Sequence, residues 1–116
     1  MLTDKQIEFI NALTQLTKSN KINWVKYNTP NSYAWVSEGV RYISNGWASE
    51  VDNNVFQCCE LAIEEMSIVT SDFVACNDGD SISDFNYLNT LHSEIKNNYA
   101  RSTDDRFENY LKHLPR

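Results

Sequence analysis

The sequence predicts an α+β fold, a single domain over residues 1–116 with an N-terminal helix, an antiparallel β-meander and two C-terminal helices. Three observations lead there. Apolar residues recur at helical spacing before residue 20 and again after residue 83. The stretch between them breaks into short aromatic and β-branched runs punctuated by turn residues, the pattern of consecutive antiparallel strands. The chain, 116 residues at 41% hydrophobic and 12% aromatic, has the size of one ordinary domain and enough apolar content for a core, so disorder is excluded.

The first helix is expected over 4–18. Thr3 and Gln6 form a T-x-x-Q capping box, Leu2 and Ile7 suit a hydrophobic staple, and Ile7, Ile10, Leu13 and Leu16, joined by Phe9, make one apolar face. Lys18 in the last turn suits the helix dipole, and Asn20 can take a left-handed cap.

Ile22 to Tyr27 reads as a short extended piece ended by Asn28-Thr29-Pro30-Asn31. Ser32–Ser37 and Val40–Ser44 follow as strands, joined by a tight turn at Glu38-Gly39. Asn45-Gly46 is a strong hairpin signal, and it predicts a further turn before a strand at Trp47–Val51. Residues 55–66 fit either element: Val55, Cys59, Leu61 and Ile63 share a strand face, while Val55, Cys58, Cys59, Ala62 and Met66 share a helix stripe. The position inside a meander favours strand. Ser67–Cys76 is the last strand expected, closed by Asn77-Asp78-Gly79-Asp80. A helix capped by Ser83 then presents Leu88, Leu91, Ile95 and Tyr99, and a separate one starting at Thr103 turns Phe107, Leu111 and Leu114 inward until Pro115 stops it.

Charge is distributed unevenly. Residues 42–95 carry ten carboxylates and no lysine or arginine, whereas each flank holds five basic residues against three acidic ones, for a net charge of −6. Mixed signs suffice for solubility; a one-signed segment of this length produces a directed field that accelerates encounter with a cation.

The pattern F-x-x-A-L-T-x-L-T-K-S-x-K-I-x-W (Phe9 to Trp24), followed by S-Y-x-W-x-x-x-G (Ser32 to Gly39), resembles the opening of small uncharacterised bacterial and prophage-borne proteins. The resemblance covers about the first 45 residues, and beyond them only the order of elements; it departs over 47–80. It implies a leading helix feeding a meander, closing helices, and a bacterial or phage setting in which small acidic proteins often act as immunity proteins or antagonists. It carries no motif of known chemistry, so no functional residue transfers.

Catalytic and metal patterns are lacking in the sequence. Neither His92 nor His113 lies at metal-ligand spacing from Cys58, Cys59 or Cys76, and those three cysteines read as buried reduced thiols rather than a disulfide framework. Asp78-Gly79-Asp80 with Asp84 misplaces the glycine of a calcium loop. The three glycines form no phosphate cradle. Direct nucleic-acid binding is disfavoured because charge turns negative after Arg41. No apolar run approaches the ~20 residues that span a bilayer, and the MLTDKQIEF start lacks signal-peptide features, so the expected compartment is the cytoplasm.

The expected function is therefore non-enzymatic: an acidic protein, without cofactor or metal, that docks on and neutralises a basic protein partner such as a nuclease toxin or a nucleic-acid-binding defence protein. Glu50, Asp52, Glu60, Glu64, Glu65 and Asp72 are the steering and rim carboxylates, and Trp35 and Trp47 the aromatic anchors. The alternative is a structural or assembly subunit, a homodimer or larger oligomer pairing through its sheet, with the acids serving only solubility.

Overall fold

The computed structural model describes residues 1–115. Helix α1 (Asp4–Lys18) leads into strands β1 (Val25–Lys26), β2 (Ser32–Ser37), β3 (Val40–Val51), β4 (Asn54–Glu65) and β5 (Ile68–Cys76); a 3₁₀ turn at Gly79–Ser81 then enters helix α2 (Ile82–Lys112). The five strands form one antiparallel sheet in sequence order. The α+β class and the meander are as expected, and the 55–66 segment is strand up to Glu65, with Met66 in the turn that follows.

The capping box at Thr3 and Gln6 is formed in both directions, and Ile10, Leu13, Thr14 and Thr17 are the buried face of α1. Each long hairpin turns on two residues at positive φ: Glu38-Gly39, Asp52-Asn53 and Met66-Ser67. That geometry matches the right-handed twist of the flanking strands.

Four expectations need correction. Asn45-Gly46 does not turn; it lies inside a continuous twelve-residue strand, Val40–Val51. A Cβ at Gly46 would sit 2.7 Å from Asn31 Nδ2 and 3.0 Å from His92 Nε2, so this glycine allows close packing rather than a reversal. The C-terminal region is one 31-residue helix, not two. No glycine or proline interrupts residues 97–103, and Asn98 is held in the helix by tertiary bonds: its amide donates to Ile22 O (2.8 Å) and accepts from Trp24 N (3.1 Å). That helix starts at Ile82 after Ser81, whose hydroxyl donates to Cys76 O at 2.8 Å, rather than at a Ser83 cap. Finally, Phe107, Leu111 and Leu114 point into solvent, not inward.

Both helices pack on one face of the sheet. Ile10, Leu13, Leu88, Leu91 and Ile95 meet Tyr33, Cys59, Leu61 and Ala75 there, with Trp24 and Phe85 closing the cluster. The helices run parallel, because Leu2 N bonds Asp84, Asn98 bonds Thr17 O and Arg101 bonds Asn20. The opposite face carries a smaller cluster of Ala34, Ile43 and Ala62 beside Tyr27. Among the described residues no helix is long and apolar enough to cross a membrane.

Candidate functional site

Strand alternation sorts the acidic residues. In β3 and β4, Arg41 opposes Glu64, Ile43 opposes Ala62, Asn45 opposes Glu60 and Trp47 opposes Cys58. These residues alternate with Tyr42, Ser44 and Leu61, which face the helices, so they occupy the outer face of the sheet. Asp72, paired with Ala62, joins them from β5.

Glu60 and Asp72 lie diagonally across two strands, close enough for their carboxyls to hydrogen-bond. Partial burial, then that bond and the like charge of Asp72, push the Glu60 carboxyl up to about 7 against an opposing hydrogen bond from Asn45. Glu60 therefore holds its proton up to near neutral pH. Glu64 is differently placed, since Arg41 Nη1 holds it at 3.1 Å.

The remaining residues singled out from the sequence do not join this group. Glu50 and Asp52 sit at the β3–β4 tip, Asp52 in the turn itself, five or more rows of the hairpin from the Asn45–Glu60 pair and so roughly 17–23 Å from Glu60. Glu65 ends β4 on the helix side, by a groove it lines with Phe9, Tyr42 and Phe73. Trp35 also faces the helices, stacked on Tyr42 at 5.1 Å and tilted against Trp24 at 6.2 Å, so it belongs to the core. Trp47 is on the outer face at 36% exposure, one row from Glu60. The assembled group is thus Glu60, Asp72 and Trp47, flanked by the Arg41–Glu64 pair.

Register also brings together what sequence reasoning missed. Cys58 opposes Cys76 and the two form a disulfide with Cα atoms 4.0 Å apart, correcting the expectation of three reduced thiols; Cys59 alone is free and buried. The 58–76 position lies between Gln57–Asn77 and Cys59–Ala75, and the Asn77 N–H to Gln57 O bond makes it a non-hydrogen-bonded pair, where side chains approach most closely. A bulge decides this. Ile63 pairs with Ser71 but Glu64 with Val69, leaving Thr70 as an extra residue; without it Cys58 would oppose Ala75.

On the helix side, His92 is buried between Ser44 and Asn31. The Ser44 hydroxyl donates to Nδ1 at 2.7 Å, and Nε2–H donates to Asn31 Oδ1 at 3.0 Å, while Asn31 Nδ2 donates to Gly46 O at 3.0 Å. Burial, reinforced by the charges of Lys96 and Lys26, lowers the imidazole to about 4. His92 and Cys59 line one cleft of about 340 Å³. Burial raises the Cys59 thiol to about 11, so the cleft pairs a protonated thiol with a neutral imidazole, the reverse of an activated thiolate–imidazolium couple. Among the described residues no group of three or more potential ligands is arranged to hold a metal ion.

The Glu60 contact has a measurable consequence. Its folded carboxyl keeps its proton to about 7, against an ordinary value of 4.5, so its contribution to stability is full below 4.5 and is lost as pH rises through 7. Glu60→Gln removes that loss. After allowing for solvent screening the variant gains about 1 kcal/mol over the parent at pH 8, with the gain vanishing by pH 4. Urea midpoints at the two pH values measure it, and equal differences at both would show that the two carboxyls do not interact.

Comparison with family models, with curated proteins and with solved structures gives no match to this chain.

Proposed function

We propose that the chain is a non-enzymatic binding protein whose outer sheet face docks on a basic protein. The observation that carries this reading is the Glu60–Asp72 contact on the face that neither helix covers. Two carboxyls this close repel when both ionise, and an incoming lysine or arginine relieves that repulsion while losing little of its own solvation to a dry core. Trp47 beside them supplies an aromatic anchor of the kind that dominates interface energy.

A partner that presents clustered lysines and arginines is typically one whose own ligand is a polyanion. A nuclease toxin or a nucleic-acid-binding defence protein fits that description, and the resemblance of residues 9–39 to bacterial and prophage-borne proteins agrees with such a setting. Glu50 and Asp52 at the hairpin tip act through the long-range field, whereas Glu60 and Asp72 make contact.

Immobilised protein exposed to a bacterial lysate and eluted with a salt gradient retains one basic protein and releases it at moderate salt. With that partner in hand, Glu60→Lys/Asp72→Lys lowers the association rate at low salt by about tenfold or more, and the difference shrinks as salt screens the field. An unchanged association rate for the double variant would remove the outer face from the interface.

A further inference from the structure

Strand β5 is the long edge of the sheet. The opposite edge is the two-residue β1, which carries Lys26, and an edge lysine discourages pairing with a foreign strand. β5 has nine residues, Ile68–Cys76, and holds no lysine, arginine or proline. Val69 and Val74 on it are 54% and 53% exposed.

The pairing with β4 determines which backbone groups of β5 are free. Antiparallel neighbours alternate between pairs that exchange both hydrogen bonds and pairs that exchange none. Cys58–Cys76 is of the second kind, and so, two and four residues on, are Glu60–Val74 and Ala62–Asp72. The N–H and C=O of Asp72, Val74 and Cys76 therefore point away from the sheet. Ser81 closes off Cys76: its hydroxyl accepts from Cys76 N–H at 3.3 Å and donates to Cys76 O at 2.8 Å. Among the described residues no comparable group closes off Asp72 or Val74. The Thr70 bulge disturbs the edge only on the N-terminal side of them.

Building on the basic-partner reading of the outer face, we propose that the partner is gripped at this edge. An extended segment of it adds antiparallel along residues 71–75 as a further strand of the sheet, with a lysine or arginine opposite Asp72. Charge selects this occupant. The residue opposite Asp72 has its side chain on the outer face, beside the Asp72 and Glu60 carboxyls, where an opposite charge across strands is favourable. The residue opposite Phe73 turns to the helix side, over a groove of about 310 Å³ lined by Leu2, Phe73, Asp84 and Leu88. Asp84 is already bonded there by Leu2 N–H at 3.1 Å, so an uncharged side chain suffices. A second copy of β5 does not fit. A two-fold axis at Asp72 or at Phe73 sets the two Asp72 carboxyls directly or diagonally across on one face, and residues 42–95 hold no lysine or arginine to relieve them. An axis at Val74 calls on Cys76, which Ser81 already holds.

Nuclear magnetic resonance titration at low salt tests this, with a short capped peptide that has lysine at alternate positions and threonine between them as the probe. The backbone amides of Asp72 and Val74 shift most. Glu60→Lys/Asp72→Lys weakens binding about tenfold or more. Val74→Pro weakens it by a similar factor with the fold kept, because that N–H makes no bond to β4 and proline is tolerated where an edge N–H faces solvent. Two modified peptides separate strand addition from charge alone. Methylating the backbone nitrogens of the lysines, which face β5, abolishes binding, whereas methylating those of the threonines, which face away, leaves it. If the lysine-methylated peptide binds as tightly as the unmodified one, strand addition is overturned while the acidic face stands as a site for cations. If Glu60→Lys/Asp72→Lys binds the peptide as the parent does, the acidic face falls and the basic segment with it. A peptide that leaves the β5 amides unmoved shows an edge closed to added strands and overturns the grip, and capture from lysate then tests the outer face separately.

Discussion

His92→Leu lowers the stability of the fold by about 3 kcal/mol and its melting temperature by roughly 10–20 °C. The replacement fills most of the imidazole's space, so the loss comes mainly from polar groups. The buried Ser44 hydroxyl loses its acceptor and the part-buried Asn31 Oδ1 loses its donor, and an unpaired buried group costs about 1–3 kcal/mol. The same variant changes the acid limb of the stability curve. Burial holds His92 at about 4 in the folded protein, against an ordinary imidazole value of 6.5, so the unfolded chain binds the proton first as pH falls. Its contribution is full above 6.5 and is lost as pH falls through 4, roughly 3 kcal/mol in all for so buried a group. Glu60 acts oppositely between 4.5 and 7, partly masking this in the parent. His92→Leu in a Glu60→Gln background therefore flattens the profile between pH 6.5 and 4, as read by denaturant midpoints. Superimposable acid limbs with and without His92 would show that the imidazole is not buried neutral.

Reducing the Cys58–Cys76 bond has an effect of similar size. The bond closes a loop of 18 residues, and restricting the unfolded chain by that much contributes about 3 kcal/mol. Cys58→Ser/Cys76→Ser, or the parent under reductant, unfolds at correspondingly lower denaturant, while Cys59→Ser leaves the redox dependence in place. Intact-mass measurement before and after reduction and alkylation counts two paired thiols and one free. A denaturation midpoint indifferent to reductant would contradict the bond. It lies one row from Glu60 on the same face, so reduction also loosens the strand pair that presents Glu60 and Asp72.

Where structure follows from neighbours a few residues apart, the chain was legible as written. The capping box of α1 and the inward Ile10 and Leu13 lie within four residues of their partners, although Leu16 and Phe9, expected on that face, are exposed and Thr14 and Thr17 are buried instead; β2 came out at Ser32–Ser37, and Glu38-Gly39 makes its turn. The concentration of acid over 42–95 is likewise a property of sequence alone. What remained hidden depends on partners far along the chain. Gly46 carries a turn signal but serves His92, 46 residues away, and only the packed helix reveals why it lacks a side chain. The stretch 97–103, polar but for Tyr99 and Ala100, looks like a break, yet Asn98 spends its amide on Ile22 and Trp24, 76 and 74 residues away, and holds α2 unbroken. The one extra residue at Thr70 settles the site. It shifts the β4–β5 register by one, puts Cys76 opposite Cys58, and sets Asp72 on the outer face beside Glu60. Side-chain direction in a strand alternates with every residue, so a single insertion exchanges the faces, and only the paired sheet determines which face Asp72 takes.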